Sequence, residues 1–232
     1  MRSPGFTTIT ADNPGPMTLS GTNTYVFGDI VIDPGPEDEA HLSKVAGSSV
    51  RTILLTHRHP DHASGAPRLS EITGASVLAF GEGISDGDEF SGLVAVHTPG
   101  HAPDHVCFFH EESGTLFSGD LIAGEGSIIV APPEGSLADY MESLDRVRKL
   151  SPTRILPGHG PEVADAGAKI EEYIAHREER EAKVIAALEA GAETVEEIVA
   201  LAYPEVPPEM RPYAERSAEA HLEKIGSLRD RF

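Results

Sequence analysis

The chain has 232 residues, 38 acidic and 18 basic, and a formal net charge of −20 at pH 7, which argues against the broad basic surface that holds duplex nucleic acid. A single cysteine, Cys107, excludes an internal disulfide and a cysteine-rich metal site, so any metal has to be held by histidine and carboxylate. No run approaches the roughly 18 consecutive apolar residues of a membrane span, and Met1 to Met17 carries no apolar signal core, so a cytoplasmic protein without membrane association is expected.

Short apolar runs bounded by Gly, Pro and Asp come first. Thr24 to Phe27 and Ile30 to Ile32, joined by Gly28-Asp29, predict a hairpin. Glu37 to Val45 has helical spacing, Arg51 to Thr56 is a buried strand, Gly65 to Thr73 a helix and Ala75 to Phe80 another strand. Leu93 to Val96, Val106 to Phe109 and Thr115 to Phe117 continue the strands, with a turn at Glu111 to Gly114. Leu137 to Leu150 predicts a helix capped by Ser136, and Thr153 to Leu156 a closing strand. The alternation implies a layered α/β domain. From Lys169 onward the composition turns to Ala, Glu, Leu and Arg, and Ile170 to Leu188, Val195 to Ala202 and Met210 to Leu228 predict three helices. The boundary falls between Ala164 and Ala168, dividing the chain into an α/β unit, 1–165, and a helical cap, 166–232.

The informative segment is Ile53-Leu54-Leu55-Thr56-His57-Arg58-His59-Pro60-Asp61-His62, where an apolar strand runs into three imidazoles and a carboxylate within six positions. In an extended segment residues two apart share a side, so His57 and His59 can meet one metal while Asp61 and His62 turn to a second. Zinc takes about four imidazole or carboxylate ligands, so others have to come from elsewhere. His101 in Thr98-Pro99-Gly100-His101, Asp120 in Phe117-Ser118-Gly119-Asp120 and His159 in Leu156-Pro157-Gly158-His159 sit in glycine-marked turns after strands and are the candidates. His97 and His105 read as strand-end histidines satisfied by backbone, with a role behind the ligands as the alternative. His41, His110, His176 and His221 read as structural or solvated, Cys107 as a small buried hydrophobe, and Arg58 as a solvated loop charge.

Together these motifs resemble the metallo-β-lactamase fold hydrolases, whose signature is H-x-H-x-D-H followed by a His, an Asp and a His at successive strand ends. The resemblance covers roughly residues 18 to 162. It implies an αββα sandwich with two zinc ions per chain, one held by His57, His59 and His101, the other by Asp61, His62 and His159, with Asp120 bridging. Asp61 and Asp120 are the catalytic carboxylates by the same resemblance, and a metal-bridging hydroxide is the nucleophile. Two Zn²⁺, two carboxylates and one hydroxide leave the centre near +1, suited to an anion or a polarised carbonyl.

Asn13-Pro14-Gly15-Pro16-Met17-Thr18-Leu19-Ser20-Gly21-Thr22-Asn23-Thr24-Tyr25 also resembles the opening segment of the β-lactamase-like protein 2 subgroup, which contains endoribonucleases and fungal polyketide thioesterases. The subgroup often appends a winged-helix-like region. Here the last residues, Leu228 to Phe232, leave no room for the β-wing, so a truncated, helical winged-helix-like cap is expected.

The resemblance therefore implies a zinc-dependent hydrolase. One substrate reading is phosphodiester cleavage of single-stranded RNA, opposed by the −20 charge. The other is a small-molecule thioester or lactone, to which an acidic surface is no obstacle. A diiron oxygen-reducing protein of this fold often carries Glu within the first loop motif, where His59 stands here. A binding or scaffold protein on the same fold usually loses ligands, and this chain retains all seven. Specificity is expected from the loops Gly83 to Phe90 and Gly124 to Gly135, with Ile122 to Val130 as a cleft wall, and from the helical cap. A homodimer through apolar faces is compatible with the sequence.

Overall fold

The computed structural model describes residues 5–47 and 49–229. In chain order they form β1 (Thr7–Thr10), β2 (Asn23–Phe27), β3 (Ile30–Ile32), α1 (Glu39–Ala46), β4 (Thr52–Leu54), α2 (Pro60–Ala63), α3 (Ala66–Thr73), β5 (Ser76–Phe80), β6 (Gly83–Ile84), β7 (Glu89–Phe90), β8 (Leu93–His97), β9 (Val106–His110), β10 (Thr115–Gly119), α4 (Leu137–Lys149), β11 (Arg154–Pro157), α5 (Ala166–Glu189), α6 (Val195–Ala202) and α7 (Arg211–Arg229). The strands build two sheets, β1-β2-β3-β4-β5-β6 and β11-β10-β9-β8-β7.

Side-chain alternation along the strands explains the layering, because successive residues face opposite sides of a sheet. Ile30 and Ile32, Leu54, Leu93, Ala95, Val106, Phe108, Phe117 and Leu156 meet between the two sheets. Their neighbours Val31 and Ile53 turn outward onto Leu42 and Val45 of α1 and Leu69 of α3. On the other sheet Cys107, Phe109, Leu116 and Ile155 turn outward onto Tyr140 and Leu144 of α4 and Ile170 and Tyr173 of α5. Strands apolar on both faces have to be covered on both faces, and the result is helix, sheet, sheet, helix.

The fold class is therefore the expected αββα sandwich, with small differences in its elements. β1, a Thr-rich and largely exposed edge, and the two-residue β6 and β7 are additional strands. α2 is a single turn opened by Pro60 directly after the paired histidines. α5 begins at Ala166, four residues ahead of the expected helix, because Asp165 caps it by accepting from the Ala168 amide. After Ala166 the described residues form helices only, with Val184, Ile198, Val199, Ala218 and Ile225 in a core of their own. Residues 230–232, on which the expected reduction of the β-wing partly rests, lie outside the described residues. Among the described residues no helix is long and apolar enough to cross a membrane.

Candidate metal centre

The seven side chains singled out by spacing are brought to one end of the two sheets. His57 follows β4, Asp61 and His62 lie on α2, His101 sits between β8 and β9, Asp120 follows β10 and His159 follows β11. Backbone bonds lock these ends to one another: Val106 donates to the Thr56 carbonyl at 2.8 Å, Gly158 to Gly119 at 2.9 Å, and Asn23 to Gly158 at 2.8 Å. Gly158 is needed there, since a Cβ on it would stand 2.7 Å from both Asp120 Oδ1 and His62 Cε1.

Donor atoms of three overlapping groups lie within 4.8 Å of one another: His57, His59 and His101; His57, His62 and Asp120; and Asp61, His62 and His159. His59 Nδ1 is 2.9 Å from His101 Nε2, and His62 Nε2 is 3.2 Å from His159 Nε2. Asp120 stands between them, with Oδ1 at 3.3 Å from His62 and 3.4 Å from His159, and Oδ2 at 3.5 Å from His101. Asp61 Oδ2 is 3.1 Å from His159 Nε2.

Each imidazole anchors one ring nitrogen and turns the other inward. His57 Nδ1 donates to Thr56 Oγ1 at 3.0 Å, His59 Nε2 to the Glu134 carboxylate at 3.2 Å, and His62 Nδ1 to Asp33 at 2.8 Å. His101 Nδ1 donates to the Ile129 carbonyl at 2.8 Å, and His159 Nδ1 faces the Gly21 carbonyl at 3.4 Å. Outer partners of this kind fix the tautomer and leave a lone pair for a cation. Two inward atoms, His57 Nε2 and Asp120 Oδ1, are buried without any hydrogen-bond partner. These two face each other's neighbours within the same cluster, and a donor set of imidazole and carboxylate with inward atoms left unpaired fits a divalent metal.

The electrostatics agree with the geometry. Burial raises the Asp120 carboxyl, but His62 and His159 outweigh it and hold the group well below the usual carboxylate range. Burial lowers the His62 imidazole, but Asp120 and Asp33 hold it well above its ordinary value. Burial likewise opposes His159, which Asp120 and Asp61 push up to about 9. His57 and His101 are pushed down by burial and stay neutral. The carboxylates thus draw in a positive charge, and a proton and a metal ion compete for the same inward nitrogens.

Two supporting residues carry no motif of their own. Asp33, at a left-handed φ of 49°, accepts the Thr56 amide at 2.8 Å, the Thr56 hydroxyl at 2.7 Å and the His62 Nδ1–H. His105, expected to be satisfied by backbone, accepts the Asp120 amide at Nε2 over 3.1 Å and meets Thr98 Oγ1 at 2.9 Å through Nδ1. It stands directly behind Asp120, and burial pushes it down to about 3. His97 bonds the Pro103 carbonyl away from the cluster, and Arg58 pairs with Asp104 and Glu82 at the surface. His41, His110 and His221 are buried within the fold, and Cys107 is fully buried.

A cavity of about 570 Å³ opens from His59, Asp61, His101, Asp120 and His159. One wall is the segment after Asp120, including Ala123, Ile128 and Ile129, and Met17 and Leu19 form another. The far side comes from the helical tail: Arg177 and Arg180 of α5, Tyr203, Val206, Met210 and Tyr213. The expected loop at 124–135 therefore lines the cleft. The loop at 83–90 is not among its lining residues, because β6 and β7 hold that segment at the outer edges of the two sheets.

Comparison with known proteins matches residues 17–84 and 79–159 to the metallo-beta-lactamase superfamily model and residues 194–227 to the beta-lactamase associated winged helix domain. A beta-lactamase-like protein 2 homolog from Drosophila melanogaster is 36% identical over 94% of this chain and 87% of its own. A protein of Aspergillus fumigatus named atrochrysone carboxyl ACP thioesterase is 34% identical over 81% of this chain and 66% of its own. The crystal structure of a metallo-beta-lactamase family protein from Thermus thermophilus superposes with a TM-score of 0.80 at 25% identity, covering 97% of this chain and 94% of that one.

Proposed function

Since the chain belongs to the metallo-β-lactamase superfamily, we propose that it is a dizinc hydrolase of small acyl substrates, cleaving a thioester or a related activated ester. One ion would be held by His57, His59 and His101, the other by Asp61, His62 and His159, with Asp120 shared between them. When bound, the two ions supply a water of lowered pKa and polarise the scissile carbonyl. The residues of the chain do the rest. Asp61, the most exposed carboxylate of the cluster, lines the cavity and can hydrogen-bond the attacking water through the carboxylate oxygen not committed to the ion. The Ile129 carbonyl and Glu134 hold the His101 and His59 rings in place. The apolar wall of Ala123, Ile128 and Ile129 excludes bulk water from the acyl group.

The observation that carries this reading is the cavity, in which the His/Asp cluster opens between an apolar wall of Ala123, Ile128 and Ile129 and a tail side that carries Arg177 and Arg180. Single-stranded RNA needs a basic track that follows its backbone beyond the cleft, and a chain of net charge −20 opposes it. The thioesterase relative lends support. A side-by-side assay of acyl thioesters, lactones, bis-p-nitrophenyl phosphate, single-stranded RNA and a chromogenic cephalosporin tests it. Thioester turnover is expected, with close to two zinc per chain and loss of activity in Asp120→Asn. RNA cleavage at low salt with thioesters untouched would overturn the substrate class, and bound iron or a single metal would overturn the dizinc assignment.

A further inference from the structure

Arg177 lies on the tail side of the cleft, 5% exposed, and lines the same cavity as the His/Asp cluster. Its Nη2 donates to the Ile128 carbonyl, and its guanidinium lies 5.1 Å from the centroid of the Tyr140 ring. Its Nε is buried with no partner. Among the described residues no carboxylate pairs with it: Glu181, one turn further along α5, binds Lys224, and Glu205 binds Arg180. In a chain with 38 acidic residues, carboxylates are not scarce. A buried guanidinium without a counter-charge is costly, and one carbonyl, the Tyr140 hydroxyl and the Tyr140 ring compensate it only in part. Arg180, the other arginine at the cavity, is in a different state, bonded to the Ala202 carbonyl and Glu205 and stacked at 4.1 Å on Tyr203.

The position of Arg177 relative to the cluster is fixed along the wall. Ile128, which it holds, precedes Ile129, whose carbonyl takes the His101 ring N–H. A planar guanidinium with N–H groups to spare is the side chain that matches an oxyanion through paired hydrogen bonds. We propose that Arg177 binds an oxyanion of the substrate, either a carboxylate on the acyl group or a phosphate on the thiol side, while the scissile carbonyl faces the His/Asp cluster. This rests on the acyl-hydrolase assignment above and narrows it to substrates bearing a remote negative charge.

Two matched pairs of thioesters test the proposal. Glutaryl and pentanoyl thioesters of N-acetylcysteamine differ only in a terminal carboxylate, and pentanoyl thioesters of 4′-phosphopantetheine and pantetheine differ only in the phosphate. The wild-type protein is expected to prefer the charged member of one pair by about tenfold or more in kcat/KM, expressed mainly in KM, as a charge-assisted hydrogen bond supplies. Arg177→Met should bring that ratio close to one, and Arg177→Lys should retain part of it. The pair that responds identifies where the anion sits. A folding defect lowers both members equally and leaves the ratio intact, so a preference that survives in Arg177→Met overturns the proposal. Turnover of all four without preference overturns it while leaving the acyl assignment standing. Turnover of none overturns both.

Discussion

Asp33 shows how much of the centre depends on a residue with no motif around it. Its two oxygens tie Thr56 and His62 together, and Thr56 in turn accepts from His57. Asp33→Asn tests this cleanly, because Asn tolerates the left-handed backbone found there. The neutral amide can no longer hold the His62 imidazole as an anion does, and metal affinity is expected to fall about 10- to 100-fold, measured by competition with a chromophoric chelator. Unchanged affinity would reduce Asp33 to a turn residue. The difference in legibility has a physical cause. Spacing within six residues brings His57, His59, Asp61 and His62 together through local geometry, and glycine turns mark His101, Asp120 and His159. Asp33 reaches Thr56 across 23 positions and His62 across 29, contacts created by sheet packing alone. His105 likewise becomes a support for Asp120 only when β9 and β10 are aligned.

At the scale of elements, the tail helices dock through a buried histidine. His221 of α7 is 1% exposed, with neither ring nitrogen hydrogen-bonded. Burial first, then Arg177, Lys224 and Arg180, push it down to about 3, and Glu181 stands 3.8 Å from its Nδ1. A base whose folded pKa lies below its unfolded value adds stability that is complete above about 6.5 and is lost as the pH falls toward 3. The cost is about 2 kcal/mol by pH 5, taking 1.36 kcal/mol per pH unit below 6.5. His221→Leu should therefore gain stability relative to wild type as the pH drops from 7 to 5, read from paired denaturant titrations. A difference independent of pH would contradict a neutral buried imidazole. Elements were legible where apolar alternation or helical spacing ran for several residues, as in β9, α4 and α6. β1 reads as an exposed polar stretch, and β6, β7 and α2 are too short to establish a period. They exist because neighbouring strands or the metal-ligand loop impose them.

For the molecule as a whole, the candidate centre is a clasp. Its seven side chains come from four separate chain segments on both sheets, so an ion bound there favours only the assembled fold. At about 100-fold over the dissociation constant this linkage supplies roughly 2.7 kcal/mol, or about 5–10 °C in Tm for a chain of this size. Stripping metal with a chelator should lower Tm by that much, and two equivalents of zinc should restore it. A Tm indifferent to metal would argue against the seven-residue site. The wall from Gly124 to Gly135 has a wider consequence, because it belongs to both halves of the molecule at once. Arg177 of α5 holds its Ile128 and Arg216 of α7 its Pro132, while its Ile129 and Glu134 hold two of the histidines. Recombination between relatives that exchanges the helical tail alone would separate Arg177 and Arg216 from the wall they grip. A functional chimera has to move the wall and the tail as one inherited unit.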